Sequence, residues 1–196
     1  KEEMFIVSPS GFTSLIRKID EKGTMRKVMG TVSEHYLASI AKSKYKGKFQ
    51  TGELATITTF SDIVFDHKGN MFISDRLNHQ IRKVSAQGEI TTIAGTGESA
   101  YYGDGGPALE AAFRDPSALA TDKEGNLYIG DSANNMVRKI DTKGIITTVA
   151  GNGDHKNSGD GGPAVKAAIR NIDSIAISPN GELYIAGMNS HLIRKV

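Results

Sequence analysis

The chain contains no cysteine. That excludes a disulfide framework, a thiolate metal site and a cysteine nucleophile, and it leaves the redox compartment open. Long apolar runs are missing as well. The longest, such as Met4 to Val7 and Met71 to Ile73, fall far short of the roughly 20 residues that cross a bilayer, so no membrane insertion is expected. Neither sign of charge dominates: 24 basic against 22 acidic side chains give a formal net charge of +2. A surface devoted as a whole to nucleic acid or anionic lipid is therefore not expected, and any basic site must be local. No secretory leader is read at the start, because Lys1-Glu2-Glu3 runs straight into a strand-like stretch. Histidine is scarce (positions 35, 67, 79, 155 and 191), and neither a Gly-x-Ser-x-Gly elbow nor a paired-carboxylate motif is read.

What the chain does have is a repeat. The segment from Gly69 (GNMFISDRLNHQIRKVSAQGEITTIAGTG) recurs from Gly125 and again, in part, from Gly181, each time after 56 residues with no insertion or deletion. Gly103-Asp-Gly-Gly-Pro-Ala108 recurs at the same shift as Gly159 to Ala164, and a degenerate first copy places Met4 to Val7 and Ile16 to Ile19 where Met71 to Ser74 and Ile81 to Val84 stand. Each unit carries four short stretches rich in β-branched and aromatic residues, shown by Ser117 to Asp122, Leu127 to Gly130, Val137 to Ile140 and Ile146 to Val149. We name them strands a, b, c and d. Tight turns with Asp first and Gly last join a to b (Asp122 to Gly125) and c to d (Asp141 to Gly144). Strand b is apolar at consecutive positions, so both its faces should be covered. A helical repeat would show a 3.6-residue apolar period, which is missing, and a β-helix or leucine-rich coil would be shorter. Four antiparallel strands per unit predict an all-β chain of β-propeller blades.

The units resemble the NHL-repeat family, through Gly125-Asn-Leu-Tyr-Ile-Gly-Asp131, Asn134 and Val137-Arg-Lys-Ile140 and their counterparts at Gly69 to Asp75, Asn78 and Ile81 to Val84. The ITTxAGxG segment followed by GDGGPA is similar to a subgroup found in bacterial multidomain proteins and in the teneurin propeller. The last unit departs from the pattern with Gly187 in place of the Asp and the first with Ser8, and residues 31–60 carry no GDGGPA. The resemblance implies a six-bladed ring, and this chain holds about three and a half blades (portions near 1–30, 61–95, 117–151 and 173–196, with an insertion at 31–60), which by strand count would be fourteen strands. It is therefore read as one propeller domain, 1–196, belonging with further blades or domains of a parent protein. The subgroup also implies an extracellular, cell-surface or periplasmic setting.

Alternation of strand direction puts the d-to-a and b-to-c connections on one face and the tight turns on the other. The d-to-a loops are long, and loops held by a rigid scaffold concentrate binding residues. The expected site is this long-loop face: Tyr101, Tyr102 and Arg114 from one loop, His155 and Arg170 from the next, and Arg76, His79, Asn135 and His191 from the b-to-c turns. His79, Asn135 and His191 are equivalent, one per blade, so they read as exposed turn residues and no shared metal is expected. Arg114 and Arg170 precede innermost strand a near the channel mouth; pairing with a loop carboxylate is the plainer reading, and anion binding the sharper one. Asp104 and Asp160, flanked by bare glycines, read as turn residues accepting backbone N–H bonds rather than as calcium ligands. Gly95-Thr-Gly97 and Gly151-Asn-Gly153 lack a following Gly-Lys-Ser/Thr and read as terminators of strand d. Arg17, Arg82, Arg138 and Arg194 in strand c are expected to ion-pair within the blade, Arg82 with Asp75 and Arg138 with Asp131. The insertion holds Lys42, Lys44, Lys46 and Lys48 with Tyr36 and Tyr45, a basic, aromatic patch in a short helix and loop.

These features favour a non-catalytic scaffold that presents its long-loop face to a protein, glycan or peptide ligand, with no cofactor. RNA binding through the basic insertion is the alternative that its lysines keep open. A metal-dependent lyase or lactonase-like enzyme, as known among related propellers, would need several His or carboxylate ligands converging from different blades, which these residues do not supply.

Overall fold

The computed structural model describes residues 4–10, 13–19, 24–29, 60–86, 89–187 and 190–196. They contain fourteen β-strands and no α-helix, in four antiparallel sheets. Two compact units are present, residues 1–60 and 61–196. In the first, β1 (Met4–Ser10), β2 (Thr13–Ile19) and β3 (Met25–Met29) form one sheet in the order β1-β2-β3.

The second unit is built on three sheets. Strands β4 (Phe60–Phe65), β5 (Met71–Asp75), β6 (Gln80–Val84) and β7 (Ile90–Ala94) make one meander. A second is made by β8 (Pro116–Thr121), β9 (Leu127–Asp131), β10 (Met136–Ile140) and β11 (Ile146–Ala150), and a third by β12 (Ser174–Ile177), β13 (Leu183–Gly187) and β14 (Leu192–Lys195). These are the a-b-c-d blades read from the repeat, and each expected strand lies within a residue or so of the observed one. The a-to-b turns close as expected: the Asp122 carboxylate accepts from the Asn126 N–H and side-chain amide, and Gly125 N–H bonds back to the Asp122 carbonyl.

Two apolar clusters hold the sheets face to face. Between the first two lie Phe72, Ile81, Leu119, Leu127, Ile129, Ile140 and Ile146, with Ala108, Ala111 and Phe113 of the connecting loop. Between the second and third lie Ala118, Val137, Ile175, Leu183 and Ile185, with Ala167, Ile169 and Ile172 of the next loop. The sheet β8–β11 is thus covered on both faces, which is why its strand b is apolar at consecutive positions. First strands lie side by side: the Leu119 N–H donates to Asp62 Oδ2 at 2.9 Å and the Thr121 hydroxyl to the Phe65 carbonyl at 3.1 Å, joining β4 to β8.

The GDGGPA segment does more than turn. Gly105 N–H donates to the Ile146 carbonyl, Ile146 N–H to the Gly106 carbonyl and Ala108 N–H to the Gly144 carbonyl. The loop leaving one blade is thereby paired to the outer edge of strand d in the next, covering an edge that would otherwise be open. Gly95 and Gly151 end strand d as expected, with φ of 95° and 92°. A Cβ on Gly151 would lie 2.2 Å from the Asn135 carbonyl oxygen, so the close approach of strand end and b-to-c turn requires glycine.

Candidate recognition site

The long-loop face is organised around the strand-c arginine. A β-bulge precedes it in each of three blades, between Ile16 and Arg17, Ile81 and Arg82, and Val137 and Arg138. Bulges re-aim side chains. In the central blade the Arg138 guanidinium is fully buried: Nε donates to Asp104 Oδ1 at 2.9 Å, Nη1 to the Ala112 carbonyl at 3.1 Å and Nη2 to the Tyr102 carbonyl at 3.2 Å. It lies over the rings of Tyr101 and Phe113, at 5.0 and 5.4 Å from their centroids. Arg194 repeats the pattern with Asp160, Ala168 and Ser158.

The expected pairing within the blade is present for two of the four arginines, with Arg138 at 3.6 Å from Asp131 and Arg82 at 4.0 Å from Asp75, while the Arg17 side chain lies outside the described residues. It is the looser of two. The nearer partner is the GDGGPA aspartate, Asp104 for Arg138 at 2.7 Å and Asp160 for Arg194 at 2.6 Å, delivered from the preceding loop. Asp104 also accepts the Thr148 N–H, a backbone bond from the next blade rather than from its own turn, and the Tyr101 hydroxyl. The signal that could have found this pair was the shared spacing: each GDGGPA aspartate stands 34 residues before an Arg.

Electrostatics follow the burial. Asp131 is enclosed, and desolvation pushes its carboxyl up to about 6 despite donors from Asn134, the Arg114 N–H and Arg138. Asp104 is also pushed up by partial burial, but hydrogen bonding from Thr148 and the Arg138 charge outweigh it and hold the group below the usual carboxylate range. Asp62, enclosed beside β8, is raised by burial.

Of the residues expected on this face, several are brought together. Arg76 forms a two-point ion pair with Asp115, whose N–H donates to His79 Nδ1 at 3.3 Å, so Arg76, His79 and the Arg114-Asp115 step form one cluster. Asn135 is buried rather than an exposed turn residue, its side chain meeting His155 Nδ1 at 3.0 Å. It shares with His79 and His191 a left-handed backbone, φ 53° to 55°, at the same place in each b-to-c turn. Among the described residues no group of three or more His, Asp or Glu could hold a metal ion. Tyr101 and Tyr102 are 44% and 41% exposed yet fixed by hydroxyl contacts, Tyr101 to Asp104 and Thr148, Tyr102 to Thr96 and Glu98. Arg114 and Arg170 correct the plainer expectation: neither pairs with a carboxylate among the described residues. Asp115, next in sequence to Arg114, pairs with Arg76 instead. Lys42, Lys44, Lys46 and Lys48 lie outside the described residues, with Tyr36 and Tyr45.

Residues 96–159 match the family model of the teneurin NHL domain. Teneurin-3 of Mus musculus is 35% identical over 99 residues, covering 44% of this chain and 4% of that protein. Teneurin-m of Drosophila melanogaster is 32% identical over 102 residues, 45% of this chain and 4% of that protein. The matched stretch is thus a small fraction of these relatives' length. Among solved structures, an auxiliary nutrient binding protein from Bacteroides thetaiotaomicron VPI-5482 is similar with a TM-score of 0.66 at 17% identity, over 98% of this chain and 44% of that one. A streptogramin B lyase follows with a TM-score of 0.52 at 9% identity, over 99% and 58%. At such identities the likeness is one of fold.

Proposed function

We propose that this chain, a run of NHL-type β-propeller repeats, is a non-catalytic recognition scaffold that presents its long-loop face to a protein, glycan or peptide ligand, in an extracellular, cell-surface or periplasmic setting. One observation carries the reading: Tyr101 and Tyr102 are held by hydrogen bonds while more than two-fifths exposed. Fixed aromatic rings lose little conformational entropy on binding, and Tyr is favoured at interfaces for its apolar body and polar tip. The acidic groups with shifted ionisation on the same face have internal tasks. Asp104 clasps Arg138 and the buried Asp131 backs it, so both carboxylates are engaged by the arginine.

Glycan and peptide arrays probed with the wild-type chain and with Tyr101→Ser/Tyr102→Ser test the reading, with Lys143→Ala on the tight-turn face as control. Binding lost in the tyrosine variant and kept in the control is the expected result. Array binding that depends on Lys143 and ignores both tyrosines would move the site to the other face.

A further inference from the structure

Six arginines have described side chains, and four of them, Arg76, Arg82, Arg138 and Arg194, lie within 4.0 Å of a carboxylate. The remaining two, Arg114 and Arg170, occupy the same position in successive repeats, and both are exposed. Their backbones are nevertheless pinned. Arg114 N–H donates to Asp131 Oδ1 at 2.7 Å and Arg170 N–H to Asn157 Oδ1 at 3.0 Å. Each is followed by a residue in the left-handed region, Asp115 at φ 61° and Asn171 at φ 55°. The two segments also touch, because the hydroxyls of Ser117 and Ser132 both donate to the Ile172 carbonyl. Two guanidinium groups with no carboxylate partner among the described residues therefore stand on neighbouring, fixed backbones.

Resting on the reading of this face as a recognition surface, we propose that Arg114 and Arg170 form a two-point clasp for an acidic peptide segment, each guanidinium taking one side-chain carboxylate. Three features select that chemistry. Guanidinium binds carboxylate through two parallel N–H donors, a geometry that ammonium does not offer. Asp115, the acid next in sequence to Arg114, is neutralised by Arg76. Leu77, next in sequence to Arg76, is 62% exposed and offers an aliphatic contact beside the Arg114 side of the clasp. A ligand of alternating acidic and aliphatic side chains uses all three, whereas a sulfated sugar leaves Leu77 without a counterpart. In the sequence, Thr58 rather than an arginine stands one repeat before Arg114.

Fluorescence anisotropy with a labelled peptide of alternating glutamate and leucine, a glutamate-only peptide and a heparin oligosaccharide tests the clasp on the full 196-residue chain. The alternating peptide should bind best, and each of Arg114→Gln and Arg170→Gln should weaken it about tenfold, the loss of one charge-assisted pair. Arg114→Lys/Arg170→Lys should fall between, Leu77→Ser should erase the advantage over the glutamate-only peptide, and added salt should weaken binding throughout. All these side chains are exposed, so unchanged thermal unfolding should accompany the loss. No binding of the alternating peptide at low salt, binding indifferent to both glutamine variants, or a preference for heparin would overturn the clasp. The broader scaffold reading is judged separately by the tyrosine-dependent array ligands.

Discussion

Arg138 shows how much a single buried charge commits in this protein. Its guanidinium is enclosed by two carboxylates, two carbonyls and two rings, and removing it would leave Asp131 buried with its countercharge gone. Arg138→Ala is expected to cost about 3–5 kcal/mol in urea unfolding, the cost of breaking a buried pair from one side. The two GDGGPA aspartates should differ, because the Asp104 side chain is 32% exposed and that of Asp160 81%. Asp104→Asn should therefore destabilise clearly more than Asp160→Asn, and equal losses would mean that solvent screening does not separate them. The two acids beside Arg138 also act in different pH windows. Asp131, raised from 3.8 to about 6, keeps a proton in the folded chain that the unfolded chain has lost. Stability should fall as pH rises from about 4 to about 6 and then level. Asp104, depressed, contributes stability above its ordinary range that is lost as pH falls toward its folded value. Melting temperatures across this range should lose the first slope in Asp131→Asn and the second in Asp104→Asn; an unchanged slope in either variant would reject that assignment.

Among the elements, the loop between β7 and β8 is the one that joins blades. It accepts and donates main-chain bonds along the outer edge of β11 and delivers Asp104 to β10. The amide of Ile146, bonded to the Gly106 carbonyl, should exchange with solvent as slowly as the core of the sheet, although it points away from β10. Exchange at the rate of an exposed loop amide would show that the edge is open. The strand ends are equally constrained. Gly151→Ala places a Cβ 2.2 Å from the Asn135 carbonyl at a φ of 92°, and about 2 kcal/mol or more of destabilisation is expected in denaturant titration. Gly144→Ala, which meets nothing within 4 Å but has a φ of 82°, should cost less and so isolates backbone strain from the clash.

At the scale of the molecule, residues 61–196 unfold as one body if both interfaces count. The sheet β8–β11 contributes Leu119, Ile129 and Ile140 to one apolar cluster and Ala118, Val137 and Ala150 to the other. Disturbing either cluster disturbs the shared sheet, as expected where repeats are stabilised by their neighbours. Hydrogen exchange read by mass spectrometry should show peptides from β5, β9 and β13 sharing a common opening free energy, and Arg138→Ala should lower all three together. Loss of protection confined to β10 would show that the blades are energetically independent.

The repeat alone determined the architecture. Four β-rich stretches per 56 residues, the Asp and Gly of each turn and the doubly apolar strand b led to blades, and the strands of the regular repeat, such as β8 to β11, lie within a residue of the expected stretches. This worked because turn chemistry and strand patterning are local, and repetition states the same local answer several times. The glycine terminators were legible for the same reason. The site was less so. Arg138 and Asp104 stand 34 residues apart and meet only because a loop crosses from one blade to the next, and the bulge that aims Arg138 leaves no mark in the pattern of residues. Nor does the sequence distinguish Arg76 from Arg114: both are arginines beside aspartates in loops of one face. Only the packed blades decide that Asp115 turns to Arg76 and leaves Arg114 with no carboxylate among the described residues. Which neighbours a carboxylate meets depends on tertiary distances that spacing along the chain does not encode.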